Sequence, residues 1–199
     1  MVIFMSDLIL ASGSPRRQEL LRMLELHFEV MVDKTPEPDI SFASIEEDVC
    51  ALARFKGENV IKNLGENTDK IVIAADTVVA IGGKVLGKPE DEEDAFQMLS
   101  ALSGNMHNVL TGVFVKDIRS GKEISFCEKT EVFFKKLDIN EIKDYIRTKE
   151  PMDKAGSYGI QNLGSVFVEK INGDYFNVVG LPVSKLANVL KADFGIKIF

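Results

Sequence analysis

Ser12-Gly13-Ser14-Pro15-Arg16-Arg17 sets two adjacent arginines at a position where a strand would turn into a helix. Cations at a helix N-terminus oppose the macrodipole, which favours acids there. A bound anion would reconcile the two, since guanidinium forks and unpaired backbone N–H groups both donate to phosphate oxygens. The plainer account is a solvated arginine pair on an amphipathic helix. Ala74-Ala75-Asp76-Thr77-Val78-Val79 places one carboxylate inside an apolar strand, where burial is costly unless the acid is paired or metal-bound. Such a carboxylate can serve as a general base or hold a divalent ion. Its plain alternative is an outward-facing residue near the strand end.

Gly87-Lys88-Pro89 offers a lysine as a point charge for phosphate, or simply a turn lysine. It is not a P-loop, because the upstream glycine spacing and the Ser/Thr after the lysine are both missing. Asp153-Lys154-Ala155-Gly156-Ser157-Tyr158-Gly159-Ile160-Gln161, with Gly180-Leu181-Pro182 further on, is dense in glycine, which suits a backbone that approaches a ligand closely or a loop packed on the core. Gln161 carries both a donor and an acceptor, the pair needed to read a base edge. His107, in Ser103-Gly104-Asn105-Met106-His107, is a further candidate, though a histidine just before a strand commonly has a structural hydrogen-bonding role.

The elements that must position these residues alternate. A short buried strand at Leu8–Ala11 leads to a helix over Arg16–Leu26, with Ser14 as its N-cap and Pro15 at its first position. Phe28–Val32 reads as a strand and Thr35–Phe42 as a loop. Ser44–Asn63 is a long helix with Glu47 three residues after the capping serine. Lys70–Ile81 is a nearly continuous apolar strand that Gly82-Gly83 turns into a hairpin ending at Leu86. A helix over Asp91–Leu102 precedes two long antiparallel strands within Val109–Leu137, turning at Ser120-Gly121. A helix at Asn140–Thr148, a strand at Val166–Ile171 and a helix at Pro182–Leu190 complete the chain. Interleaved helices and strands with long hairpins predict an α/β fold with a mixed sheet and flanking helices.

At 199 residues, the chain is expected to be a single domain, residues 1–199, with a core that needs no disulfide or metal. Its net charge of −7 argues against a nucleic-acid polymer as partner, since such surfaces carry a basic field. Any phosphate must therefore meet a small local cluster of cations. Cys50 and Cys127, 77 residues apart, form no metal-ligand pair. They point to a reducing compartment, with Cys50 expected as a buried structural thiol. The N-terminal MVIFM is too short for a signal-peptide core, and no apolar run is long enough to span a membrane. The expected location is the cytoplasm.

Taken together, the motifs resemble the Maf family of nucleoside triphosphate pyrophosphatases. They are LASGSPRRQELL at 10–21, AADTVV at 74–79, GKP at 87–89, SGNMHNVLTGV at 103–113, EPMDKAGSYGIQ at 150–161 and NGDYFNVVGLPV at 172–183. The acid-rich loop near 33–48 departs from the family's usual pattern. The resemblance implies an elongated mixed sheet in two lobes around a cleft, related to inosine triphosphate pyrophosphatases. It implies hydrolysis between the α- and β-phosphates, a divalent cation (Mg²⁺ or Mn²⁺) and a homodimer. The catalytic acid falls on Asp76 and the phosphate contacts on Ser12, Arg16, Arg17, Lys56 and Lys88. A metal-holding loop carboxylate aligns best with Glu37, beside Asp76. Arg16, Thr77 and Gln161 follow the pattern of the dTTP/UTP pyrophosphatases; 7-methyl-GTP enzymes typically carry an aromatic in place of the arginine and a glutamate in place of the glutamine. The family name also leaves open a nucleotide-binding regulator of septum formation without significant catalysis.

Overall fold

The computed structural model describes residues 8–38, 44–65 and 68–198. The MVIFM segment and residues 39–42 of the expected loop lie outside these. Among these residues, seven strands and six α-helices follow in the order β1 (Leu8–Leu10), α1 (Pro15–Arg22), β2 (Phe28–Val30), α2 (Ile45–Leu64), β3 (Ile71–Ile81), β4 (Lys84–Leu86), α3 (Glu92–Leu102), β5 (Met106–Asp117), β6 (Glu123–Phe134), α4 (Ile139–Arg147), β7 (Val168–Asn172), α5 (Tyr175–Val179) and α6 (Val183–Phe194). Three short 3₁₀ segments occupy residues 150–153, 155–157 and 162–167. The sheet runs β2-β1-β3-β5-β6-β7, with β4 paired to β3. β1 pairs in parallel with β2 and β3, whereas β3–β4 and β6–β7 are antiparallel, so the sheet is mixed as the hairpins predict.

Two compact units divide the chain. One holds the described residues of Met1–Asp76 with Thr111–Glu128 and Gly180–Phe199; the other holds Thr77–Leu110 with Lys129–Val179. In the first unit Ile9, Ala11, Ala53, Val60, Val72, Ala74 and Phe114 form an apolar core under α2. Two glycines let α2 lie flush on the sheet. A Cβ on Gly57 would come within 2.5 Å of the Phe114 ring, and one on Gly112 of β5 within 2.4 Å of the Val49 carbonyl oxygen. Ser44 caps α2 by accepting the Glu47 N–H at 3.2 Å. In the second unit the core is aromatic. His107, Phe134 and Tyr158 meet edge to face, and Phe167 continues the cluster to Tyr145.

Several boundaries differ from the sequence reading. α1 stops at Arg22, because the Leu24 N–H bonds back three residues to Leu21 and Glu25 turns to φ 55°. Ser14 occupies the cap position but its hydroxyl makes no capping bond. β5 begins at Met106, so His107 lies within the strand. Residues 166 and 167 belong to a 3₁₀ segment and β7 starts at Val168. The five-residue α5 was not expected.

Candidate active site

In the first unit, the turn after β1 delivers Ser12 and the start of α1 delivers Arg16 and Arg17. α2 delivers Lys56, the end of the unit's stretch of β3 delivers Asp76, and the loop after β2 delivers Glu37. The close seating of α2 at Gly57 places the neighbouring Lys56 over β3. Its ammonium sits between two carboxylates, donating to Asp76 Oδ1 at 2.5 Å and meeting Glu37 Oε1 at 2.9 Å. The Asp76 side chain is 12% exposed, so its charge is compensated chiefly by Lys56 rather than by water.

Arg17 Nε donates to the Gly180 carbonyl at 2.9 Å, and its Nη1 donates to Ser12 Oγ at 3.3 Å. Ser12 Oγ also accepts the Ser14 N–H at 3.3 Å. Burial pulls the Arg17 guanidinium below its ordinary range. The charge of Asp76 opposes that pull, Arg16 adds to it and Glu37 opposes it. The Arg16 side chain makes no hydrogen bond or ion pair to another described residue. The strand-turn-helix at residues 8–22 thus gathers cations and backbone donors beside a cation-bridged carboxylate pair. That arrangement can clamp a polyanion and take a proton from water.

The second unit carries Thr77, Lys88 and Gln161. Thr77 is half-buried and Lys88 is exposed on the turn after β4. The Gly156 N–H donates to the Gly87 carbonyl at 2.9 Å, which ties the Lys88 turn to the glycine-rich segment. Gln161 is partly exposed in extended conformation, and its amide makes no hydrogen bond to other described residues. Sequence reasoning missed what holds this loop. Tyr145 OH donates to Glu150 Oε1 at 3.0 Å and accepts the Gly159 N–H at 3.3 Å, while Glu150 accepts the N–H groups of Leu163 and Gly164 at 3.3 and 3.2 Å. Only the presence of Glu150 in the 150–161 motif signalled it. Burial, helped by the Glu150 hydrogen bond, raises the Tyr145 hydroxyl above its usual range, so it remains a donor.

Two candidates change character. Gly180, grouped by sequence with the glycine-rich segment, belongs to the first unit, where its carbonyl anchors Arg17. His107 is wholly buried, bonded through Nε2 to Tyr158 OH at 2.8 Å, with Nδ1 unpaired among the described residues. Burial lowers its pKa to about 4, so the ring is neutral near pH 7 and has a structural place in the core.

Glu37 and Asp76 are hard oxygen donors already spaced around one cation. Mg²⁺ characteristically takes one or two carboxylates together with substrate phosphates rather than a full protein cage. The pair fits such an ion. No group of three His, Cys, Asp or Glu that could hold a metal occurs among the described residues.

A model of the family described as Maf-like protein matches residues 7–193. A dTTP/UTP pyrophosphatase of Alkaliphilus oremlandii is 50% identical over 98% of this chain and 100% of its own. One of Clostridium novyi is 49% identical over 96% and 98%, and one of Bacillus cereus (strain G9842) is 47% identical over 94% and 95%. A solved structure, that of the Staphylococcus aureus Ham1 protein, covers 64% of this chain and 71% of its own at 17% identity and a TM-score of 0.43. With a family match that spans nearly all of its length, the chain belongs to the family of Maf-like proteins.

Proposed function

We propose that this protein is a nucleoside triphosphate pyrophosphatase that hydrolyses dTTP and UTP to the monophosphate and pyrophosphate. The observation that carries the reading is the Lys56-bridged pair of Asp76 and Glu37 beside Arg17 and Ser12, in a chain about half identical to dTTP/UTP pyrophosphatases. Arg16, Arg17, Lys56 and Lys88 bind the triphosphate, and the Ser12 hydroxyl adds a donor. Asp76 orients a water and takes its proton as the oxygen attacks the α-phosphorus. The bond from that phosphorus to the bridging oxygen breaks, and pyrophosphate leaves with the electron pair. Glu37 and Asp76 would hold Mg²⁺ or Mn²⁺, which when bound neutralises charge on the phosphate oxygens.

Thr77 and Gln161 select the base. A neutral amide can both donate to and accept from the imide edge of thymine or uracil, whereas a carboxylate better suits a cationic methylated guanine. The remaining expectations belong to the same proposal: one domain of two lobes, acting as a homodimer in the cytoplasm. No helix of the described residues is long and apolar enough to cross a membrane.

The test is a panel of dTTP, UTP and 7-methyl-GTP with Mg²⁺, measuring pyrophosphate release. Release from dTTP and UTP in preference to 7-methyl-GTP is the expected result. Tight binding of dTTP with no pyrophosphate would replace the enzyme with a nucleotide-binding regulator.

A further inference from the structure

Cys50 and Cys127, distant in sequence, face each other in the first unit. The Asp117 N–H bonds Lys122 O near one end of the β5–β6 hairpin, and the Phe134 N–H bonds Asn105 O near the other. Both contacts fit a single antiparallel register, which sets Gly112 opposite Cys127. Cross-strand partners point to the same side of a sheet. On that side the missing Cβ of Gly112 admits α2 so closely that a Cβ there would lie 2.4 Å from Val49 O and 2.7 Å from Cys50 N. Cys127 therefore points at the turn of α2 that carries Cys50, and the two thiols are within hydrogen-bonding reach. Both residues are partly exposed, not buried as expected for Cys50, so a small oxidant can reach them.

We propose that Cys50 and Cys127 are a redox pair that hydrogen peroxide converts to an intramolecular disulfide, fastening α2 to β6. Disulfides in reducing compartments are typically transient and redox-sensing. The pair stands independently of the nucleotide reading.

The surroundings assign the order of events. A hydrogen bond with Cys127 lowers the pKa of Cys50; burial opposes this and the charge of Lys185 assists it, while the Cys127 thiol also donates to the Glu128 carbonyl at 3.7 Å. Cys127 is pushed up by the same hydrogen bond, by burial and by the Cys50 charge. Lys185 is held there by the Cys127 carbonyl at 2.9 Å and Glu128 at 2.8 Å, over the Phe126 ring. Glu46, the other charge that reaches both thiols, raises each of them. The Cys50 thiolate attacks one peroxide oxygen, the O–O bond breaks, and hydroxide leaves and becomes water, giving a sulfenic acid at Cys50. The Cys127 sulfur then attacks the Cys50 sulfur. The S–O bond breaks, and the hydroxyl leaves with the Cys127 proton as a second water. Two thiols are oxidised and one peroxide is reduced.

The full chain, reduced and then treated with hydrogen peroxide, decides the matter. Expected are the joint loss of both titratable thiols, a mass lower by two hydrogens, a monomer on a non-reducing gel, and a peptide joining Cys50 to Cys127. Dithiothreitol should restore both thiols. In Cys127→Ser the reaction should stop at a Cys50 sulfenic acid that dimedone traps, and in Cys50→Ser the first thiol should be lost at least ~10-fold more slowly. Two persisting thiols, oxygen added to either sulfur without a crosslink, or a bond between copies would each overturn the proposal. The wild-type arm decides alone if a serine variant fails to fold.

Discussion

In the first unit the candidate residues are charged side chains that hold one another. Lys56 lies between Asp76 and Glu37, and Arg17 lies between Ser12 and the Gly180 carbonyl. In the second unit the corresponding loop is held by its backbone. Tyr145 and Glu150 capture the amides of Gly159, Leu163 and Gly164 and thereby fix the segment around Gln161, over a core of neutral rings. A charged cluster of this kind is sensitive to the loss of any one charge, since a carboxylate left behind without its cation is costly. A backbone-held loop is sensitive to residues that need never touch a ligand. Chemistry is expected from the first arrangement and selectivity from the second.

The sharpest way to break that division is Asp76→Asn. The amide keeps the shape of the carboxylate but can neither accept a proton nor pair as an anion with Lys56. Turnover should fall by ~10² to 10⁴-fold, the range for losing a general base, with the far-ultraviolet circular dichroism spectrum unchanged. Near-wild-type turnover would move the chemistry out of the first unit.

Local signals carried much of the architecture. The capping serine, apolar periodicity and length of α2 lie within one stretch, so its expected span of Ser44–Asn63 meets the observed Ile45–Leu64 almost residue for residue. Gly82-Gly83 likewise marks its own hairpin. α5 is only five residues long, too short to show a helical period, and the start of β5 was hidden by His107 and Asn108, polar residues on a buried strand. The meeting of Lys56 with Asp76, 20 residues on, came from a family resemblance, because no local pattern encodes it. What brings them together is helix-on-sheet packing at Gly57. The same packing, at Gly112, joins Cys50 to Cys127, two residues that spacing alone had separated.

The neutral core of the second unit has its own signature in acid. His107 titrates near pH 6.5 when unfolded and at about 4 when folded, so the unfolded chain binds the proton first as pH falls. Its contribution is fully present above pH 6.5 and is lost between 6.5 and 4, amounting to about 3 kcal/mol at 1.36 kcal/mol per pH unit. Urea unfolding at several pH values would show this as a slope. His107→Gln, which keeps a hydrogen-bonding side chain but cannot titrate, should remove that part of it. An unchanged slope would mean that the ring is not held neutral by the core.

Glu150→Gln tests the backbone-held loop more gently. Gln keeps the shape of the side chain but has one acceptor oxygen where Glu150 uses two, so at least one of the bonds from Tyr145, Leu163 and Gly164 must weaken. The loss of one such bond, about 1.5 kcal/mol, corresponds to roughly a tenfold rise in KM for dTTP. Because Glu150 acts through the loop, kcat should change little. A fall in kcat at constant KM would assign the loop to chemistry and erase the contrast between the units.

The smallest effect separates two neighbours within the charged unit. Arg17 is partly buried and anchored by Gly180 and Ser12, so Arg17→Ala should both raise KM and lower the melting temperature, since the Gly180 carbonyl and the Ser12 hydroxyl lose a donor. Arg16, whose side chain has no partner among the described residues, supports no part of the fold and is available to the triphosphate. Arg16→Ala should therefore raise KM by roughly threefold to tenfold at low salt, with an unchanged melting temperature. That increment should shrink toward nothing near 0.5 M salt, where the screening length is only a few ångströms. If Arg16→Ala instead leaves KM unchanged at low salt, Arg16 does not bind the triphosphate, and the clamp rests on Arg17, Lys56 and Lys88.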